Sequence, residues 1–138
     1  MRVVVWIVEG TWPAVVDAAR AHAPADAEIL LLHVTDPGTP DVARGAYAGL
    51  FGRGHRERDP GVRLEQLAAT TAADLLSAAA NRLGCPNTRS ARVGRPEHEV
   101  ITATDGAGML IMSRDGDQSR LGPKSLGHAT RFVLDHAP

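Results

Sequence analysis

The chain has 138 residues with a formal net charge of −1, and this balance argues against a general nucleic-acid-binding protein, which would carry a basic excess. Cys85 is the single cysteine, so neither an intrachain disulfide nor a cysteine-based zinc cluster can form. The first apolar run ends at Glu9 and is too short for a signal peptide core or a membrane span. We therefore expect one cytoplasmic domain with its own core, spanning residues 1–138.

The chain begins with a predicted strand and helix. Residues 3–8 (VVVWIV) form a continuous β-rich apolar run, which is typical of a central parallel strand covered on both faces. Thr11 or Trp12 can begin the following helix, because Pro13 suits a first helical turn. Pro24 ends this helix.

A second strand and a long helix come next, separated by a glycine-containing connection. Residues 28–34 (EILLLHV) are typical of another buried strand, which completes a βαβ unit. Residues 38–58 are predicted to be a variable flap, and within it residues 41–52 have the pattern of a weak helix. The next helix begins near Pro60 and keeps apolar residues at three-four spacing. It ends before Gly84, a natural residue for the position after a helix.

The rest of the chain continues to alternate strand and helix. Residues 88–93 (TRSARV) are polar for a strand and predict a sheet edge. Residues 97–104 predict a short helix, and residues 109–112 (MLIM) predict a buried strand. This alternation favours an α/β fold with a parallel sheet and right-handed crossovers. Ligands of such sheets bind beyond the carboxyl ends of the strands, where the strand order reverses.

A polar loop and a final helix follow the fourth strand. Residues 113–124 contain glycines among charged residues, so the loop offers spare backbone N–H donors. Ser125 is a reasonable N-cap for the helix, which is predicted from apolar residues at helical spacing: Leu126, Ala129, Val133 and Ala137. A strand, a glycine-containing loop and a helix N-terminus together can hold a phosphate group.

This loop resembles the nucleotide-binding motif of the universal stress protein family, G-x2-G-x9-G-[ST]. The chain reads Ser113-x2-Gly116-x10-Gly127-His128. It departs from the motif at the first glycine, in a spacer that is one residue longer, and at the terminal Ser or Thr. The segment GPKSLGHATRFVLDHAP is similar to an actinobacterial branch of the family.

The resemblance implies a Rossmann-like, doubly wound parallel sheet with strand order 3-2-1-4-5. It also implies a stress-response protein that binds an adenine nucleotide, ATP with magnesium, as a regulatory ligand, and that acts on an unknown protein partner. In the family a fifth strand follows the last helix and often pairs two subunits into a homodimer. This chain stops at Pro138, before that strand. We therefore expect either a trimmed sequence or no such dimer contact.

Residues at the ends of the first two strands are the first part of the predicted cofactor site. Glu9 stands where the family has an acidic residue near adenosine, and its carboxylate can accept hydrogen bonds from ribose hydroxyls; the alternative is a solvated acid. Gly10 lies beside it in the same turn. Val34 would contact the base, although a valine after a buried strand also suits the core.

The final loop supplies the second part of the predicted cofactor site. Gly116 and Gly127 would let the backbone approach a phosphate closely, although a turn alone would also select glycine. Arg114 could neutralise phosphate charge, or could be solvated. Ser125 would donate to a phosphate or only cap the helix. His128 could obstruct a phosphate or donate a hydrogen bond to it. Ser113, at the first glycine position of the motif, completes the predicted cofactor site.

Other functions find less support in the sequence. Pro123 replaces a backbone donor that a Walker A loop needs, so that motif is rejected. The six histidines show no metal-ligand spacing, and no catalytic residue can be named. We therefore expect at most slow ATP hydrolysis. The alternative function is an interaction module of the same fold that binds no nucleotide.

Overall fold

Strands and helices alternate along the computed structural model, which describes residues 1–37, 60–114 and 127–138. The strands are β1 (Arg2–Trp6), β2 (Glu28–Thr35), β3 (Thr88–Val93) and β4 (Met109–Ile111). The helices are α1 (Trp12–His22), α2 (Pro60–Leu83), α3 (Pro96–Thr104) and α4 (His128–His136). The predicted order of elements is confirmed. The flap at 38–58 and its weak helix lie outside the described residues.

The four strands form one parallel sheet in the order β3-β2-β1-β4. β1 lies in the interior of this sheet, where Val4 pairs with Leu30 of β2 on one side and with Leu110 of β4 on the other. The predicted α/β class and the order 3-2-1-4 are therefore confirmed. The polar strand β3 is an edge strand, as its composition predicted.

Two helical layers cover the sheet, and successive residues of β1 point into different ones. Val3 and Val5 pack with α1 and α2 on one face. Val4 and Trp6 pack with α3 and α4 on the other face. Both faces of β1 are therefore buried. Full burial of an aliphatic side chain stabilises a fold by roughly 1.5–3 kcal/mol, so a strand with two buried faces favours apolar residues at every position. The sheet is thus doubly wound.

Two local features define the ends of helices α3 and α2. Arg2, at the start of β1, donates hydrogen bonds to the carbonyls of Ala103 and Asp105 at 2.7 and 2.8 Å, and so caps the end of α3. Gly84 has φ +72 and follows α2, which confirms the predicted helix end, since this backbone conformation favours glycine.

Two details of the predicted C-terminal region are wrong. β4 was expected to be buried, yet Met109, Leu110 and Ile111 are only partly buried, because β4 has a single neighbour among the described strands. Helix α4 has Gly127 as its N-cap rather than Ser125. The carbonyl of Gly127 accepts the first helical hydrogen bond, from Arg131 N–H at 2.9 Å, so the helix begins at His128.

Candidate ligand site at the carboxyl ends of β1 and β4

A crevice is expected between the carboxyl ends of β1 and β4, because the chain leaves these neighbouring strands in opposite directions. After β1 the chain enters α1, which packs on one face of the sheet. α4, the next described helix after β4, packs on the other face. This is the point at which strand order reverses, and ligands of open parallel sheets bind there.

The turn between β1 and α1 forms the first wall of the crevice. Gly10 has φ +88, a conformation that favours glycine, and both Glu9 and Gly10 are exposed. The backbone N–H groups of Thr11 and Trp12 both donate to the carbonyl of Val8, at 3.3 and 3.0 Å. Gly10 therefore shapes the turn, and the turn leaves the Glu9 carboxylate in solvent.

The hydroxyl of Thr11 contacts the residue that follows the end of β4. It donates a hydrogen bond to Ser113 Oγ at 3.1 Å, although the two residues are 102 positions apart in sequence. Thr11 is the N-cap residue of α1, but its side chain makes no capping hydrogen bond to that helix. The Thr11 side chain therefore links the two strand ends instead of closing its own helix.

Helix α4 reaches Ser113 from the other layer. Thr130, in the first turn of α4, donates from its hydroxyl to the carbonyl of Ser113 at 3.3 Å. Thr11 is 2% exposed and Thr130 is 7% exposed, so both hydroxyls are buried next to Ser113. Buried hydroxyls require hydrogen-bond partners, and here both find them at the same residue.

Gly127 and the start of α4 provide the phosphate-compatible part of the crevice. Gly127 is in extended conformation, with φ −62 and ψ 159, and as a glycine it has no side chain that could cap α4. A Cβ added to Gly127 would have no heavy atom of the described residues within 4 Å, apart from its two chain neighbours. The N–H groups of the first helical turn and the positive end of the helix dipole favour an anion at this position.

The other predicted site residues lie in different surroundings. His128 is the first residue of α4 and is exposed, so its imidazole is not buried in the crevice. Val34 is buried at the end of β2 in the core on the α3 and α4 side. Arg114 follows Ser113 and is exposed. Gly116 and Ser125 lie outside the described residues. Ligand contacts at all of these positions stay predictions.

Sequence reasoning missed the roles of Thr11 and Thr130. Thr11 was considered only as a helix start, and Thr130 was not singled out. The available signal was the position of each threonine at the beginning of a helix that follows a strand end. This position alone does not identify the partner of either threonine, because Ser113 meets Thr11 only after β1 and β4 have paired.

A cavity of about 180 Å³ lies beside the carboxyl ends of β2 and β3. Its walls include Ala68 and Ala72 of α2. Three charged residues also line it: Asp36, Glu65 and Arg92. Carboxylates and a guanidinium thus both line this cavity, so the charges of its walls do not by themselves exclude an anion. The crevice between β1 and β4 is the candidate site for an anionic ligand because it lies where the strand order reverses.

The described ranges contain no group of three or more histidine, cysteine, aspartate or glutamate residues arranged to hold a metal ion. Within the same ranges, no helix has both the length and the apolar character that a membrane crossing requires.

Comparisons with known proteins support the fold. No family model and no curated protein matches the sequence. Among solved structures, hypothetical protein MJ0577 is similar with a TM-score of 0.73 and 17% identity, covering 99% of this chain and 89% of that one. Universal stress protein UspA from Lactobacillus plantarum has a TM-score of 0.65 and 18% identity, and the match covers 100% of this chain and 92% of that one. A universal stress protein in complex with cAMP has a TM-score of 0.58 and 17% identity, covering 99% and 91%.

Proposed function

We propose that this chain, which has the fold of the universal stress proteins, binds an adenine nucleotide such as ATP in the crevice between β1 and β4. The bound nucleotide acts as a regulatory ligand of a cytoplasmic stress-response protein. The observation that supports this most is the start of α4, where the N-cap is a glycine that supplies no side chain, and where an added Cβ would meet no described heavy atom beyond its chain neighbours.

The phosphates bind at the N-terminus of α4 in this proposal. Backbone N–H groups and the positive end of the helix dipole favour an anion at that position. The absence of a side chain at Gly127 lets phosphate oxygens come close to the backbone. Magnesium accompanies the phosphates and is held mainly by them, as is usual for this hard, strongly hydrated ion.

The nucleoside lies towards the ends of β1 and β2. The exposed carboxylate of Glu9 accepts hydrogen bonds from ribose hydroxyls, and the base lies near Val34. One structural neighbour is a universal stress protein in complex with cAMP, which is itself an adenine nucleotide. That neighbour supports this ligand class for the present chain.

A regulatory role fits the residues better than a catalytic one. Binding at the carboxyl ends of the strands changes the surface between α1 and α4, which a protein partner can recognise.

The outer strand β4 has one neighbour among the described strands, so a second copy of the chain can pair at its other edge. Light scattering at several protein concentrations tests the proposed homodimer.

Thermal unfolding in the presence of nucleotides tests the binding proposal. A ligand that binds only the native state stabilises it by about 2.7 kcal/mol at 100 times its Kd. We expect ATP with magnesium to raise the melting midpoint, and inorganic tripolyphosphate with magnesium to raise it less because it lacks the nucleoside. No shift with ATP, ADP, AMP or cAMP would contradict the proposal.

The alternative is an interaction module of the same fold without a nucleotide. The observation that favours it is Ser113, which adds a side chain at the first glycine position of the motif and is already bonded to Thr11. Nucleotide analysis of the supernatant after denaturing the purified protein separates the two functions. Released adenine nucleotide supports the first function, whereas its absence together with unchanged melting supports the second.

A further inference from the structure

We propose that the cavity beside the carboxyl ends of β2 and β3 binds a small amphipathic amine, a molecule with one apolar ring and one ammonium group. The inference goes beyond the proposed function, because this cavity lies on the α2 side of β2. Val34 and Thr35 are consecutive in β2, but Val34 packs in the core on the α3 and α4 side, whereas Thr35 lines the cavity. The cavity and the predicted base contact therefore lie on opposite faces of the sheet.

The sizes of the side chains along α2 create the cavity. This helix contacts both β2 and β3. In its second half, Leu76 and Leu83 fill the space against the sheet. Towards its beginning, the residues at the same spacing are Ala68 and Ala72, which line the cavity together with Ala91 of β3. Because all three side chains end at Cβ, the space between helix and sheet stays unfilled.

The volume of the cavity suits a ring-sized apolar group. Protein interiors are close-packed, and voids larger than a water molecule are few. An apolar cavity of about 150 Å³ is large enough to bind benzene. The present cavity measures about 180 Å³. Val93, which also lines it, is 69% exposed, so a ligand can enter from solvent at the end of β3.

The charged groups at the cavity favour a cation. Asp36 and Glu65 supply two carboxylates, against one guanidinium, that of Arg92. Arg92 Nη1 lies 3.6 Å from Glu99 Oε2 and donates to the Glu99 carbonyl at 3.4 Å, so its charge is compensated within the protein. Asp36 and Glu65 have other interaction partners as well. An ionised carboxylate offers about four acceptor positions, however, so each can accept a further hydrogen bond from an ammonium group.

NMR titration of the full chain with three matched probes tests the proposal. Phenethylamine, 2-phenylethanol and 3-phenylpropionate share one apolar body and differ in the charge of the attached group. We expect amide shifts to change most at Ala72, Ala91 and Val93. Phenethylamine should bind about 2-fold to 5-fold more tightly than the alcohol, as a partly exposed ion pair allows, and 3-phenylpropionate should bind most weakly.

Two substitutions on α2 test the location of the bound amine. Ala72 is 2% exposed and lines the cavity, so Ala72→Leu places a larger side chain inside it. We expect this variant to bind phenethylamine at least about 10-fold more weakly, and to melt no lower than the parent because it fills existing space. Ala73→Leu is the matched control, since Ala73 is the next residue and is exposed. It should keep the affinity within about twofold.

A third substitution tests the charge without changing the volume. Glu65 is exposed on α2, so Glu65→Gln should fold. We expect it to weaken binding of phenethylamine by about 2-fold to 5-fold and to leave binding of 2-phenylethanol unchanged. This comparison remains informative if Ala72→Leu does not fold.

Three results would overturn the inference. If none of the probes shifts the amides of the cavity walls, the cavity is not a binding site. If Ala72→Leu is folded and binds phenethylamine as tightly as the parent, the amine binds elsewhere. If 3-phenylpropionate binds as tightly as phenethylamine, the ligand is not recognised as a cation. None of these measurements involves a nucleotide, so their failure would leave the proposed function untouched.

Discussion

Arg82 of α2 binds Asp17 of α1 through two hydrogen bonds, from Nε to Oδ1 at 2.9 Å and from Nη2 to Oδ2 at 2.8 Å. This bidentate pair joins the two helices that cover the same face of the sheet. The hydrogen bond from Arg82 lowers the pKa of Asp17 below its usual value of 3.8, and burial opposes this shift. Both side chains are about half exposed, so solvent weakens the pair.

The pair makes stability depend on pH at the acid end. Because the pKa of Asp17 is lower in the folded chain, its contribution is present above pH 3.8 and is lost as the pH falls through the folded value. We expect Arg82→Ala to raise the pKa of Asp17 towards 3.8, as measured by NMR titration of its carboxyl carbon. An unchanged titration of Asp17 in this variant would contradict the assigned cause.

Glu99 lies over Gly94 at the turn between β3 and α3. A Cβ added to Gly94 would lie 2.8 Å from Glu99 Oε1 and 2.9 Å from Glu99 Cγ, so the Glu99 side chain would have to move. It would then lose its contact with Arg92, which lies 3.6 Å away. Because the Glu99 side chain is partly exposed and can turn away, we expect Gly94→Ala to destabilise the chain by no more than about 1 kcal/mol in urea unfolding.

The control for this position is the double variant Gly94→Ala, Glu99→Ala. Shortening Glu99 removes the atoms that the new Cβ would meet. We expect Gly94→Ala to cost less in the Glu99→Ala background than in the parent chain. Equal costs in both backgrounds would show that Glu99 does not determine the tolerance of position 94.

Gly127→Val tests the phosphate-binding end of the crevice. The described atoms leave space for a side chain here and φ is −62, so we expect the chain to fold. The isopropyl group would keep phosphate oxygens away from the first-turn N–H groups. ATP should therefore bind at least 10-fold more weakly, as measured by calorimetry, in line with the loss of more than one hydrogen bond of roughly 1 kcal/mol each.

Arg95→Val is the matched control for this change. Arg95 is the N-cap of α3 and, like Gly127, makes no side-chain capping bond. It follows β3, which lies two strands away from β1. We expect Arg95→Val to leave ATP affinity within about twofold of the parent, because long-range surface charge is largely screened in salt. A loss equal to that of Gly127→Val would mean that the obstruction is not local.

Glu9→Gln tests recognition of the ribose. The amide keeps the size of the side chain but removes the charge, and a hydrogen bond to a charged group contributes about 1.5–3 kcal/mol. We expect Glu9→Gln to weaken binding of ATP about 10-fold and binding of 2′,3′-dideoxy-ATP much less. Glu28→Gln is the control, because Glu28 lies at the amino end of β2, opposite the carboxyl ends at which the ligand would bind. If Glu9→Gln weakened the binding of both ligands equally, the proposed contact between Glu9 and the ribose hydroxyls would be contradicted.

Much of the fold follows from local patterns in the sequence. The apolar runs predict β1 and β2 because each is covered by helices on two faces, and Gly84 predicts the end of α2 because its positive φ favours glycine. The boundary of α4 was harder. Ser125 is the better N-cap by composition, but the helix begins after Gly127, and composition alone does not fix the first residue of a helix.

The candidate site is less predictable, because its contacts depend on pairing between distant segments. Gly10 and Gly127 could be singled out from turn chemistry and from the resembling motif. The contacts of Thr11 and Thr130 with Ser113 could not, since they require β1 to lie beside β4 and the two helices to cover opposite faces. Sequence spacing specifies each element, whereas tertiary pairing decides which hydroxyls meet.

The separation of Thr11 and Ser113 by 102 positions also has a consequence for biosynthesis. β1 leaves the ribosome early, but its partner β4 is translated much later, and contacts between such distant segments close slowly. The crevice can therefore mature only after most of the polypeptide has been made. A product that ends before β4 would lack Ser113 and therefore the Thr11–Ser113 bond that joins the two strand ends.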